Sequence, residues 1–176
     1  TFRGLLADQV LAGLPDPGGS VLDVGCGTGT LAILLRRQSP RAAVTGLDGD
    51  EEILGLARAK PGADSVTWRS GLATAVPAPD ATFDRVVMSL VLHHLTRDDK
   101  VAAIAEAARV LRAGGRLHVA DWGRPRDPLM HLAFLAVRTL DGFPNTREGA
   151  AGTLPDLIRS GGFAQPDSTI DAARNA

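Results

Sequence analysis

The chain of 176 residues has no tyrosine, one cysteine, two tryptophans and only 4% aromatic residues overall. One thiol, Cys26, can build neither an internal disulfide framework nor a Cys-rich zinc site. A reducing, cytoplasmic setting is the corresponding expectation. Charge of either sign is not in excess, since 19 Lys and Arg against 20 Asp and Glu leave −1 at pH 7. Without a basic face, no nucleic-acid partner is expected. No apolar run approaches the ~20 residues of a membrane-spanning helix, and no signal-peptide pattern is visible. His93 and His94 are adjacent, but His118 and His131 lie in other segments, so no metal site is expected. The first residue is Thr1 rather than Met, and the chain stops soon after a late strand-like run, so ends cut short are expected.

What is present is ordinary globular material, 44% hydrophobic and 22% charged, enough for one sheet and its covering helices. The bias toward Ala, Gly, Arg and Pro is that of a high-GC bacterial gene. Strand-like apolar runs alternate with segments of helical period, which predicts one α/β domain over 1–176, a doubly wound, mostly parallel sheet with its core at about 19–162. Helix is expected from Phe2 to Leu14, with Leu5, Leu6, Val10 and Leu11 inward. A strand then covers Ser20 to Val24, and a helix runs on through Arg37. Strands follow at Ala42 to Leu47, Val66 to Arg69, Phe83 to Met88 and Arg116 to Ala120. A helix over Glu51 to Lys60 stops at Pro61-Gly62. Thr96-Arg-Asp-Asp99 reads as a capping box, and behind it Val101, Ile104, Ala105, Ala108 and Leu111 form the expected buried stripe. Helices over Leu129 to Leu140 and after Thr153, and a sixth strand over Phe163 to Ile170, complete the reading.

The strongest signal is Val21-Leu-Asp-Val-Gly-Cys-Gly-Thr-Gly-Thr30, a buried strand ending beside an acid and three alternating glycines. Glycine there permits positive φ and lets backbone N–H groups approach a ligand with no Cβ between. A dinucleotide fingerprint needs its third glycine at position 30, which is Thr30. The sequence instead runs Asp23-x-Gly25-x-Gly27-x-Gly29. This form resembles motif I of the class I S-adenosylmethionine (SAM)-dependent methyltransferases, above all small-molecule enzymes of ubiquinone and menaquinone biosynthesis. Three further stretches share the likeness: Val44-Thr-Gly-Leu-Asp48, the segment from Ala81 to His94, and Val110-Leu-Arg-Ala-Gly-Gly-Arg-Leu.

The resemblance implies SAM as cofactor, with S-adenosylhomocysteine (SAH) as product, and a set of residues around it. Asp23, Gly25, Cys26, Gly27 and Gly29 would hold the amino-acid end. Asp48 would accept from the ribose hydroxyls, with Gly49 beside it. Gly71 and Leu72 would serve the adenine, and Ser89 and Leu90, after the fourth strand, would face the crevice at the carboxyl edge of the sheet near the switch point. Relatives often carry an acid where Leu72 stands, and that carboxylate contact with adenine is lost here. The family's N-terminal lid helices are expected to be abbreviated as well.

Methyl transfer from a sulfonium requires alignment and water exclusion more than acid–base help. The candidate bases are therefore few: His93, His94 and Asp121, the histidines because imidazole suits deprotonation near neutral pH. Asp121 could equally cap a turn or pair with Arg124 or Arg126, and Asp48 could serve as a helix N-cap. Asp121 and Trp122 are placed at the substrate mouth, and the Leu129 to Leu140 helix with Phe134 could floor an apolar pocket. The expected function is methyl transfer to a small, partly apolar acceptor. The alternatives are an NAD(P)-binding oxidoreductase and a non-catalytic SAM-binding subunit. An Asp/Asn-Pro-Pro-Tyr/Phe motif, the mark of nucleic-acid methylation, is replaced by Ser89-Leu-Val-Leu.

Overall fold

The computed structural model describes residues 1–15, 17–121, 139 and 145–163. Five parallel strands form one sheet in the order β3-β2-β1-β4-β5, with β1 at Ser20–Val24, β2 at Ala43–Asp48, β3 at Thr67–Ser70, β4 at Phe83–Ser89 and β5 at Leu111–Ala120. The helices are α1 (Phe2–Leu11), α2 (Thr30–Gln38), α3 (Glu51–Arg58), α4 (Arg97–Val110), α5 (Arg147–Ala151) and α6 (Leu154–Ser160). Strands β1 and β4 are buried on both faces, as expected where helices cover each side of a parallel sheet. Val21, Val44 and Val87 pack with α1 and α2 on one face, while Leu22, Val24, Val86 and Met88 pack with α4 on the other. The doubly wound α/β architecture is the one expected from the sequence.

Local chemistry explains most boundaries. Asp50 caps α3, its Oδ1 accepting from the N–H groups of Glu52 (2.9 Å) and Ile53 (3.2 Å). Asp48, two residues earlier, is not that cap. At α4 the expected capping box is present in altered form. Thr96 Oγ1 accepts from the Asp99 N–H at 3.2 Å, and the hydroxyl itself donates to the Asp99 carboxylate at 2.7 Å.

Three expectations need correction. Helix α1 ends at Leu11, and Leu5 is 42% exposed while Leu6, Ala7 and Val10 are buried. The buried stripe of α4 is Lys100, Ala103, Ile104, Ala107 and Val110; Val101 is 48% exposed. The helix is rotated from the hydrophobic reading because Lys100 is drawn inward by Glu148 of α5, 2.9 Å away. Strand β5 begins at Leu111, with a register shift against Phe83 and Arg85 that accommodates Gly114 at φ 77. Asp84 stitches this end of the sheet. Its Oδ2 accepts from the Ser20 N–H (2.7 Å), the Ser20 hydroxyl (2.8 Å) and Arg112 (2.8 Å). Burial alone would raise its pKa, but these donors together hold it below the ordinary value. His131, Trp122, Arg124, Arg126, the Leu129 to Leu140 helix with Phe134 apart from Thr139, and all of the sixth strand beyond Phe163 lie outside the described residues.

Candidate active site

Strand β1 pairs with β2 on one side and β4 on the other. The chain after β1 folds onto one face and the chain after β4 onto the other, so a crevice opens between their carboxyl ends. The glycine loop sits at that crevice. Gly25, Gly27 and Gly29 have φ of 64, 53 and 72. For two of them packing is as demanding as the backbone. A Cβ on Gly25 would come 2.4 Å from Cγ2 of Val91, and one on Gly29 would come 2.3 Å from the Trp68 ring. Above Gly27 the space is open. Two glycines thus seat the loop, and the third bares its backbone toward the crevice. Lys60 at the end of α3 adds a clamp, its Nζ donating to Oγ1 of Thr28 (2.7 Å) and of Thr30 (2.9 Å).

Beneath the loop lies Asp23, 2% exposed, whose Oδ2 meets no donor among the described residues. Burial pushes its pKa up to about 7; a hydrogen bond from the Ala32 backbone opposes the rise and the nearby Asp48 adds to it. A desolvated carboxyl with an unsatisfied oxygen is a receptor for a cation. Asp48, at the end of β2, accepts the Gly27 N–H on Oδ2 (2.7 Å) and the Asp50 N–H on Oδ1 (3.0 Å). Each oxygen keeps lone-pair capacity for a diol. Cys26 is buried, and desolvation together with Asp23 and Asp48 pushes its thiol well above the ordinary range. It is a packing residue by these features and no nucleophile.

The other expected residues ring the same edge. The Gly71 N–H donates to the Asp48 carbonyl at 3.0 Å, fixing the end of β3 to that of β2. Leu72 is 61% exposed and leans over Gly49, where a Cβ would stand 3.0 Å from its Cδ2. Ser89 ends β4, and Leu90 holds φ 59, a left-handed conformation rare for a branched side chain. Its N–H donates to the Ala120 carbonyl at 2.8 Å.

Past Leu90 the chain makes a single tight turn, Leu92–His94. Asp121, just after β5, secures it. Its Oδ2 accepts the N–H groups of Leu92 (2.7 Å) and His93 (3.3 Å), and its Oδ1 lies 2.8 Å from His93 Nδ1. Both side chains are nearly enclosed, 9% and 3% exposed. His94 is exposed, its ring tilted 43° and 4.0 Å from that of His93. The structure therefore unites His93 with Asp121 and leaves His94 on the outside of the turn. Sequence reasoning missed Lys60, Val91, Trp68 and the Lys100–Glu148 pair, whose side chains are 2% and 4% exposed. Glycine spacing signals the loop, but nothing local signals the residues that buttress it. Among the described residues no group of three His, Cys, Asp or Glu is placed to hold a metal ion, and no helix is long and apolar enough to cross a membrane.

A family described as "Methyltransferase domain" matches residues 21–115. The chain is 37% identical over 180 residues to a demethylmenaquinone methyltransferase of Deinococcus radiodurans, covering 98% of this chain and 72% of that protein. It is 34% identical over 150 residues to a ubiquinone/menaquinone biosynthesis C-methyltransferase of Geobacter sulfurreducens, covering 80% of this chain and 58% of the relative. The chain spans about half the length of most curated relatives it matches. Among solved structures, a SAM-dependent methyltransferase of Thermotoga maritima superposes with a TM-score of 0.68 at 28% identity, over 91% of this chain and 70% of that one.

Proposed function

The chain belongs to the class I SAM-dependent methyltransferase family, and we propose from this that it methylates a carbon of a small, partly apolar acceptor, a hydroquinone ring in chemical class. The names of its relatives support the acceptor class. The observation that carries the cofactor is Asp23, a buried carboxyl with an unpartnered oxygen beneath an open glycine loop.

The residues fit SAM. Asp23 suits its ammonium, and the loop from Gly25 through Cys26 and Gly27 to Gly29 leaves an open backbone face at Gly27 for its amino-acid end. Asp48 suits the ribose hydroxyls. Gly49, Gly71 and Leu72, past the ends of β2 and β3, suit the adenine, while Ser89 and Leu90 border the crevice at the end of β4. When bound, SAM supplies a methyl group on a positively charged sulfur, already activated for in-line displacement. What remains for the protein is to hold donor and acceptor in line and to exclude water. The left-handed Leu90 and the pinned Leu92–His94 turn supply rigid backbone beside the glycine loop, against which Val91 packs, and this supports the reading.

Calorimetry with SAM, SAH and NADH, on the wild type and Asp48→Ala, tests the cofactor. Micromolar SAH binding is expected, weakened about tenfold or more by loss of two charge-assisted hydrogen bonds. NADH binding without SAM or SAH would contradict the proposal. Transfer of labelled methyl from SAM to reduced 1,4-naphthoquinone tests the acceptor and separates an enzyme from a non-catalytic subunit.

A further inference from the structure

We propose that Lys60 is a positioning residue for the cofactor: by holding Thr28 and Thr30 it keeps the glycine loop in its ligand-accepting shape before the ligand arrives. The proposal rests on the methyltransferase reading above. Its first support is the composition of the loop. Gly25, Gly27 and Gly29 all hold positive φ, and glycine has more backbone freedom to lose than any other residue. A loop of this kind keeps one shape only where its neighbours impose it.

The second support is how those neighbours are distributed. The Cys26 N–H donates to the Leu47 carbonyl (3.0 Å), the Gly27 N–H to Asp48 (2.7 Å) and the Gly29 N–H to the Cys26 carbonyl (2.9 Å). Thr28, next to the open face at Gly27, is held through its side chain, its Oγ1 accepting from Lys60 Nζ at 2.7 Å. The same ammonium donates to Oγ1 of Thr30, the first residue of α2, at 2.9 Å. Two of the three ammonium donors thus go to one junction of loop and helix. The third support is the base from which Lys60 reaches. Its N–H donates to the Ala57 carbonyl (3.2 Å), and its own carbonyl accepts from Ala63 (3.1 Å). The next carbonyl, of Pro61, accepts from Arg37 of α2 at 2.9 Å. One segment, from the end of β2 through α3 to Lys60, therefore grips the loop at Gly27 with Asp48 and at Thr28 and Thr30 with Lys60. With the second grip gone, the loop samples shapes that do not bind, and apparent affinity falls with the competent fraction.

The test measures SAH affinity by calorimetry on wild type, Lys60→Met, Thr28→Val/Thr30→Val and the triple variant. Arg58→Met is the control, removing a charge from the last turn of α3 whose side chain pairs with Glu51. Hydrogen–deuterium exchange is read in the ligand-free protein on the loop and on β4. Lys60→Met is expected to weaken SAH about tenfold and to speed exchange of the loop several-fold, while β4 exchanges as in wild type and the melting temperature stays within about 2 °C. Saturating SAH should restore slow exchange in the loop. Thr28→Val/Thr30→Val should match Lys60→Met, and the triple variant should be no weaker than either within about twofold, since all three remove one interaction. Lys60→Arg, whose fork can donate to both hydroxyls, should keep affinity within about threefold. The paired threonine variant decides the matter if Lys60→Met does not fold. SAH binding by Lys60→Met within about twofold of wild type, or additive losses in the triple variant, would overturn the proposal. So would exchange in β4 accelerated as much as in the loop, the sign of general loosening, or an equal loss of affinity in Arg58→Met, the sign of net charge alone. If wild type binds no SAH, the methyltransferase reading falls and takes this proposal with it. SAH binding indifferent to Lys60 defeats this proposal alone.

Discussion

Ligand binding should be coupled to ionisation of Asp23, because the free protein holds this carboxyl where its charge is unsupported. Burial lifts its pKa from 3.8 to about 7, which corresponds to about 4 kcal/mol of disfavour for the charged form. An ammonium brought against Oδ2 reverses the balance by giving the carboxylate a counter-charge and a donor. Below pH 7 the free protein must then release a proton on binding. SAH affinity should fall about tenfold for each pH unit from 7 down to 5, with about one proton released per ligand at pH 5. Calorimetry in two buffers of different ionisation enthalpy counts that proton directly. Asp23→Asn should bind more weakly at pH 7 and lose the slope. The same shift has a stability consequence of definite sign. Between about pH 4 and 7 the native state binds more protons at Asp23 than the unfolded chain does, so this contribution to stability declines as pH rises across that window. Ligand-free Asp23→Asn should therefore gain in melting temperature relative to wild type as pH is raised from 5 to about 7. Affinity independent of pH, with no proton released, would refute the reasoning.

Gly25→Ala should cost at least about 2 kcal/mol in denaturant unfolding, because the new methyl meets Val91 at 2.4 Å in a left-handed backbone. Gly27→Ala meets nothing and should cost only about 1 kcal/mol, yet it should abolish SAH binding by filling the loop's open face. Glu148→Gln should destabilise by about 3–5 kcal/mol in urea unfolding by leaving the Lys100 ammonium buried without its counter-charge. The double variant Lys100→Met/Glu148→Leu should recover most of that loss, and simple additivity would contradict the pairing. Leu72→Asp should tighten SAH binding by about fivefold if the adenine amine lies over this position, as calorimetry would show; an unchanged affinity places the adenine elsewhere.

The architecture was legible because strands β1, β2 and β4 are apolar runs bounded by glycine, proline and acid, and because the helices between them carry their own stops. The glycine loop was legible for a related reason: only a left-handed, closely approached backbone requires three alternating glycines after a buried strand. Where the reading failed, tertiary contacts had overridden a local pattern. Of the stripe Val101, Ile104, Ala105, Ala108 and Leu111 that hydrophobicity suggests, Ile104 and Leu111 are buried but Val101 is not, and Lys100 turns inward to reach Glu148. The start of β5 was hidden because Ala113-Gly114-Gly115 reads as a helix stop, although β4 pairs from Leu111. At the candidate site, His93 and Asp121 stood out as separate residues. Their pairing depends on β4 and β5 being neighbours, which no spacing within either segment can reveal. The strain at Leu90 was equally invisible, since nothing in the residue type announces a positive φ.

The most direct test of the SAM site is a crystal structure of the protein with SAH. The account predicts the ligand over the carboxyl ends of β1, β2 and β4, its ammonium engaged by Asp23 and its ribose hydroxyls on Asp48. SAH bound away from the Gly25–Gly29 loop, or bound there with both carboxylates uninvolved, would contradict it.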